Sequence, residues 1–333
     1  MSAYLCLEDQ RFGPGVNKPK IMHVIFGAGG TTANALTREL LNNHHTIRLA
    51  SRRPVNTTGK NISWVKADLM VYQEVLNAAK DASVIYLCNG VGYKNQDWKD
   101  HWPVIMRNAI DAARSTGARL LFFDNTYMYG RVTGPMTEST PYNPCSVKGE
   151  VRARIATQFM QEVDKGNIAG AIARAPAFYG TDSRQSVLDS LVIDRFAGHQ
   201  KARWFGDPRY IHNFGYIPDM GKALYLLGQD SRSDGQIWHL PTAPPMTGLK
   251  FIALAAEIYG TAPGFMRIRK PLLSLMSLFS QAAASQLEMF YNWEQDYNFV
   301  SSKFEQYFNV QPTSYAEGIK QLSEGLYKKR PGK

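Results

Sequence analysis

The segment Gly27-Ala28-Gly29-Gly30-Thr31-Thr32-Ala33 follows a compact apolar run at 21–26. It precedes a stretch of helical period in which Leu36 and Leu40 lie four apart on one face. A strand, a glycine turn and a helix in that order make a phosphate cradle. Glycine allows the tight turn and the close approach of a pyrophosphate, and the small Ala33 lets helix and strand pack together. The free N–H groups at the helix start then face the phosphates. A dinucleotide is the cofactor expected here, held by Gly27, Gly29, Gly30, Thr31 and Thr32.

The rest of the chain supports that setting. Short β-rich runs at 46–50, 62–65, 84–88, 119–123 and 168–174 alternate with helical periods at 32–41, 71–79, 101–116 and 148–163. Such alternation predicts βαβ units and an α/β fold, a doubly wound parallel sheet of the Rossmann type. A later strand, 236–240, is expected to return to the sheet. The second half is less regular, with helices at 186–196 and 219–227, and leads into a smaller, mainly helical C-terminal lobe with helices at 247–260, 272–290, 301–308 and 314–327. The predicted division has four parts. Residues 1–20 form an extension and 328–333 a basic tail; 21–180 with 210–242 bind the nucleotide, and 181–209 with 243–327 form the substrate lobe. Ligands are expected at the carboxyl ends of the strands.

The end of the second strand sets the cofactor preference. An acidic residue there would bind the ribose hydroxyls of NAD. The chain instead reads Ala50-Ser51-Arg52-Arg53-Pro54. Two guanidiniums beside Ser51 suit a 2′-phosphate, which favours NADP(H), with NAD(H) as the alternative. Asp68 and Leu69, after the third strand, are placed to flank the adenine. Cys88, Asn89 and Gly90, after the fourth, are placed along the phosphates and ribose.

Composition excludes other classes. The 333 residues carry 38 Lys and Arg against 28 Asp and Glu, a net charge of +10, but the densest basic run is the terminal tail rather than one face. No nucleic-acid partner is therefore indicated. No apolar run reaches the roughly 18 residues of a membrane span, so no membrane partner is indicated either. Met22 opens the first strand, and a product beginning there is expected to fold. Three scattered cysteines, Cys6, Cys88 and Cys145, suggest neither disulfides nor zinc, and a reduced, cytoplasmic protein is expected. His44-His45 ends a helix without clustered carboxylates, so no metal site is expected.

Several further stretches match a known family. These are Ala67-Asp68-Leu69, Asn125-Thr126-Tyr127-Met128-Tyr129-Gly130, Met136-Thr137-Glu138-Ser139-Thr140-Pro141, Lys148 opening a helix, Arg174-Ala175-Pro176-Ala177-Phe178-Tyr179-Gly180 and Tyr216-Ile217-Pro218-Asp219-Met220. Over residues 21–327 the chain resembles the extended and atypical short-chain dehydrogenase/reductases, in the NAD-dependent epimerase/dehydratase group. The resemblance implies an oxidoreductase with Pro176 and Phe178 along the cofactor, Tyr179 near a small-molecule substrate, and Lys148 on the nicotinamide ribose.

The departures constrain chemistry more than the matches. The family's Tyr-x-x-x-Lys pair uses the phenol to move a proton and the lysine to lower its pKa. Four residues before Lys148 this chain has Pro144, and where the family has Ser or Thr it has Asn125, with Thr126 beside it. Three readings follow. In one, Asn125 or Thr126 donates to the substrate oxygen and another phenol serves, with Tyr127 first and Tyr142, Tyr291 and Tyr297 behind it. In another, the chemistry needs no tyrosine. In the last, the protein senses NADP(H) without turnover. Reduction or oxidation of a carbonyl or related group is the leading expectation, and a sugar-nucleotide epimerase or dehydratase the alternative. Glu138 and His212 are weighed as substrate contacts against capping and core roles. The apolar stripe within 272–290 is expected in the lobe core, with a homodimer face as the alternative.

Overall fold

The computed structural model describes residues 21–92, 94–180 and 186–325. The expectations for residues 1–20, Cys6 and the 328–333 tail lie outside the described residues. Seven strands form one sheet: β1 Met22–Phe26, β2 Thr46–Ser51, β3 Ile62–Lys66, β4 Val84–Leu87, β5 Arg119–Asp124, β6 Gly170–Arg174 and β7 Ile237–His239. Their order across the sheet is β7-β6-β5-β4-β1-β2-β3, and every neighbouring pair is parallel. This is the doubly wound α/β sheet expected from the alternation, with 236–240 returning to its edge.

Both faces of a parallel sheet are buried, which is why its strands read as apolar runs. Along β1 the side chains alternate. Val24 and Phe26 join Val75, Ala109, Ile155 and Phe159 of α2 (Tyr72–Ala79), α3 (Asn95–Thr116) and α4 (Val147–Asp164). Ile25 turns the other way to meet Ala33 and Leu36 of α1 (Thr31–Asn42) and Leu224 of α5 (Ile217–Gln229). Gly221 of α5 lets the two helices close up, since a Cβ there would sit 2.6 Å from the Ala35 backbone.

The lobe gathers α6 (Gly248–Ile258), α7 (Lys270–Ser277), α8 (Gln281–Glu288) and α10 (Tyr315–Glu324) around Trp204, Phe214, Phe251 and Ile319. Short parallel pairs stitch it to the sheet's carboxyl end. Phe178–Tyr179 pairs with Gly215–Tyr216, and Pro135–Met136 pairs with Asn298–Phe299. Ala202–Phe205 and Phe265–Ile268 make a third pair inside the lobe. Helix α9 (Ser302–Phe308) leans on β7 through Phe304 and Trp238.

Two expected helices differ. Helix α3 starts at Asn95 rather than 101 and carries Pro103 in its interior. Its first turns are polar outside, but Trp98 and Trp102 anchor them in the core. The expected helix 272–290 is two helices, with Ser280 capping the second by accepting from the Ala283 N–H at 3.3 Å. Only part of its stripe is core: Leu273 is buried in the lobe and Leu287 packs against it, while Leu272, Leu275, Met276 and Phe279 face solvent.

Candidate functional site

The sheet order reverses between β1 and β4, and the turns leaving those two strands enclose a crevice at their carboxyl ends. Gly27, at φ +85°, returns its N–H to the Ala50 carbonyl at 3.1 Å. A Cβ on it would stand 2.7 Å from the Asn89 backbone, so only glycine lets the Gly27 and Cys88–Gly90 turns approach. Gly29 is also left-handed, at φ +86°. Gly30 is the N-cap of α1, whose first turn has no capping side chain, no acidic residue and buried Thr31 and Thr32. An uncapped helix start in a glycine cradle fits a dinucleotide pyrophosphate.

Other proposed cofactor contacts line up along the same edge. Ser51 Oγ donates to the Arg53 carbonyl at 2.7 Å and accepts from Trp64 Nε1 at 3.0 Å, which fixes the turn after β2. Arg52 and Arg53 are exposed, and neither guanidinium pairs with a described residue. Asp68 caps its own loop by accepting from Met70 N at 3.0 Å, and the Leu69 carbonyl accepts from buried Asn108 at 2.8 Å. Cys88 is a free thiol that burial pushes up to about 12. Pro176 is buried and Phe178 half-buried after β6.

Beside this crevice, the loop after β5 and the start of α4 carry the polar residues weighed above for the reaction. Ser146 caps α4 by accepting from Gly149 N at 3.0 Å, so the helix begins at Val147. Pro144 lies before that start and brings no hydroxyl toward Lys148. The lysine itself is buried. Its Nζ donates to Asn95 Oδ1 at 2.6 Å and forms an ion pair with Glu288 of α8, whose other oxygen accepts from the Lys148 N–H at 3.1 Å.

The four tyrosines weighed as replacements part company. Tyr297 places its hydroxyl in hydrogen-bond contact with Thr126 Oγ1, both buried. Burial drives the Tyr297 pKa far above the phenol range, the Thr126 bond opposing it. Tyr127 packs its ring against Trp98 at 6.1 Å, while its N–H donates to Asn125 Oδ1 at 3.0 Å, so Asn125 braces the loop. Tyr142 accepts from Arg174 Nη2. Tyr291 is buried beneath the Arg131 guanidinium, 5.7 Å above its ring, and burial raises its pKa.

Of the residues weighed as substrate contacts, His212 stacks on Tyr297, and Glu138 and Tyr179 make contacts of their own. Glu138 accepts from the His239 N–H at 3.1 Å, holding the end of β7. Tyr179 is fully buried against Tyr216, Phe251 and Tyr315, its hydroxyl without a hydrogen-bond partner among the described residues. His212 lies between Phe214 and Tyr297, stacked on both, and burial lowers its pKa to about 4. These three are not brought together with Lys148.

Sequence reasoning missed three features. Buried Asp124 ends β5 and accepts from Arg152 Nη1 at 3.2 Å and Arg174 Nε at 3.3 Å; Arg174 Nη1 in turn donates to Tyr129 OH at 2.7 Å, which bonds His239 Nε2 at 2.8 Å. This network supports the 125–130 loop from below. Charges closing apolar strands at 124 and 174 were the available signal. Glu288 had no local signal, being 140 residues from Lys148. The third feature is a cavity of about 400 Å³ bordered by Arg267, Arg269, Lys270, Tyr210, Phe290 and Trp293. Arg267 and Arg209 share Asp207, and Lys270 and Arg131 share Glu294. Arg269 has no carboxylate partner among the described residues. Among those residues no cluster of His, Cys, Asp or Glu is arranged to hold a metal.

A glycine cradle at the switch point of a doubly wound sheet, with a lobe over its carboxyl edge, defines a nucleotide-dependent α/β protein. The model of the NAD dependent epimerase/dehydratase family matches residues 23–240, and the chain belongs to that family. Solved structures share the fold. UDP-glucuronic acid 4-epimerase from Bacillus cereus, in complex with NAD, superposes with a TM-score of 0.73 at 15% identity, over 92% of this chain and 100% of that one. A dTDP-glucose 4,6-dehydratase from Bacillus anthracis in complex with NAD gives 0.77 at 13% identity, over 93% and 97%. For the UDP-glucose 4-epimerase of Thermus thermophilus, also with NAD, the values are 0.73 and 14%, over 91% and 98%. No curated protein sequence matches the chain significantly.

Proposed function

We propose that this protein is a nicotinamide-dinucleotide-dependent enzyme that acts on a sugar nucleotide or a similar small molecule bearing an anionic group. This reading displaces carbonyl reduction as first choice. The observation that carries it is the segment 288–297, which reaches the reaction centre and the basic cavity at once. Glu288 meets Lys148 and Tyr297 meets Thr126, while Phe290, Trp293 and Glu294 border the cavity of Arg267, Arg269 and Lys270. A substrate with phosphates in that cavity would present its other end toward Thr126. The fold's structural neighbours named above include enzymes of UDP- and dTDP-sugars, in keeping with that choice.

For the cofactor, Arg52 and Arg53 favour NADP(H), with NAD(H) the alternative. Bound at the cradle, the nicotinamide supplies the hydride acceptor. Oxidising a carbinol also releases a proton from its hydroxyl, and this chain's own residues must take it. Tyr297, hydrogen-bonded to Thr126, is the phenol best placed for this; it accepts the proton as the phenolate, so its own proton must first leave to solvent, and Lys148 with Glu288 ties the start of α4 to α8. The free Cys88 and Cys145 thiols accord with a reducing, cytoplasmic setting.

The test is calorimetry of the full chain with NADPH and NADH. Proton NMR and mass spectrometry of UDP- and dTDP-sugars incubated with the cofactor-loaded protein follow, the first reading epimerisation and the second loss of water. Epimerised or dehydrated product supports the reading; failure of every sugar nucleotide to bind or turn over rejects it. A second reading, a non-catalytic NADP(H) sensor, is favoured by Pro144 and Asn125, which stand where the resemblance expects a phenol and a hydroxyl. Tight NADPH binding with no turnover on any substrate would select it.

A further inference from the structure

Helix α7 is amphipathic in the wrong sense for a lobe helix. Leu272, Leu275, Met276 and Phe279 recur at i, i+3, i+4 and i+7 and so share one face. That face points to solvent: the four are 45%, 59%, 47% and 86% exposed, and Leu278 beside them is 73% exposed. Only Leu273, about a quarter-turn round the helix from Leu272, is buried in the lobe. Leu278 and Phe279 form the tip of the α7–α8 hairpin, at the break between the two helices. From 271 to 287 the chain has no charged residue, while Arg267, Arg269 and Lys270 lie immediately before it. All three are exposed.

We propose that this hairpin is a peripheral membrane anchor, inserting Leu275, Leu278 and Phe279 into the headgroup boundary of an anionic bilayer. The expectation of no membrane partner concerned spans, and among the described residues no helix is long and apolar enough to cross a membrane. Lying in the interface needs neither length nor all-round hydrophobicity. It needs an apolar face, a basic border and no acid on the inserted side. The hairpin meets all three conditions. Its border is basic and the whole chain carries +10, so negative lipid is attracted, whereas a second copy would bring an equally basic border against this one. A protruding tip that exposes a Phe and a Leu is also the shape that enters a soft interface rather than a flat protein surface. The inserted residues border neither the cavity nor the cradle, while the basic border is the one proposed to hold the substrate's anionic group, so the variant below is confined to the apolar tip.

The experiment is flotation of the full chain with vesicles of phosphatidylcholine alone and of phosphatidylcholine mixed with phosphatidylglycerol. Binding to the anionic vesicles is expected, weaker in high salt, with little to neutral ones. The variant Leu275→Ser/Phe279→Ser changes only exposed positions and is expected to keep its circular dichroism and melting temperature while losing at least about tenfold in partition. Absence of binding to anionic vesicles overturns the proposal. So does binding that the double variant retains, which would come from net charge alone. Sedimentation velocity covers the rival occupant: a dimer that the double variant dissociates, without vesicle binding, makes the face a contact between copies and also overturns it.

Discussion

Lys148 and Glu288 form an ion pair between the start of α4 and the end of α8, with the side chains only 3% and 16% exposed. The same carboxylate accepts from the Lys148 backbone N–H at 3.1 Å, so it also binds the helix terminus, where a negative charge is favourable. A pair this sheltered couples the lobe to the nucleotide half. Removing either partner strands the other charge, at a cost of about 3–5 kcal/mol. Lys148→Met and Glu288→Gln are therefore each expected to lower the urea midpoint, and the double variant to recover part of that loss. Additive losses in the double-mutant cycle would show that the two side chains do not interact in solution.

Arg52 and Arg53 carry the cofactor preference. Both are exposed at the turn after β2 and neither is paired with a described residue, so replacing them leaves the fold intact. Arg52→Ala/Arg53→Ala is expected to weaken NADPH roughly 10- to 100-fold, the loss of charge-assisted contacts to a phosphate, and to leave NADH unchanged. Calorimetry reads both. Unchanged NADPH affinity would assign the 2′-phosphate to other residues.

Much of this geometry was legible in the sequence, for physical reasons. Parallel strands buried on both faces must be apolar throughout, and β1, β4, β5 and β6 announced themselves that way. The Gly27–Ala33 turn was equally plain, because left-handed backbone and close approach leave glycine as the residue that fits. The two-residue strands at 178–179 and 298–299 were not visible, since a pair of residues carries no period and their partners are remote. Nor was the pairing of Lys148 with Glu288, which no spacing predicts. The stripe from Leu272 to Phe279 misled in a different way. Periodicity shows that a helix has an apolar face but not which side of it meets the core.

Tyr297 and Tyr127 separate two accounts of proton transfer. Tyr297 shares a hydrogen bond with Thr126, whereas Tyr127 packs against Trp98. Tyr297→Phe is expected to lower kcat about 100-fold or more with little change in KM, the effect of losing a positioned acid–base group. Thr126→Val should do nearly as much, and the double variant little more, because the pair acts as a unit. Tyr127→Phe should stay within a few-fold of the parent. The reverse order of effects would make Tyr127 the proton donor.

The Asp124 carboxylate stabilises the site loop from underneath. It is buried and answers two guanidiniums, Arg152 and Arg174, the former stacked over Trp102 with its carbon 3.9 Å from the ring centroid. Asp124→Ala leaves both cations buried and uncompensated and is expected to destabilise by about 3–5 kcal/mol. Asp124→Asn, which keeps the shape and some hydrogen bonding, should lose less. Thermal melts rank the two, and equal stability of Asp124→Ala and the parent would contradict the buried network.

Acid should unfold this protein through its histidines. Burial lowers the pKa of His23 and His239 to about 3 and of His212 to about 4, from 6.5 when exposed. His23 faces Tyr86 and His45, each at 3.1 Å, with the positive Arg119 near enough to oppose a second cation. His239 lies between Tyr129 and the Val300 carbonyl, with positive Arg174 and Lys303 opposing its charge, and Asp296 acts in the other direction on His212. The native state thus binds fewer protons than the unfolded chain below pH 6.5. Their stabilising contribution is complete above that pH and is lost as pH falls toward 4, by about 1.4 kcal/mol per pH unit for each histidine. Unfolding free energies from urea titrations between pH 7 and 4 should fall with a slope of up to about 4 kcal/mol per pH unit, three protons' worth. His23→Gln should remove one proton from that slope while costing some stability at pH 7. A midpoint that stays level from pH 6.5 to 5 would mean that the three imidazoles titrate freely, which their burial forbids.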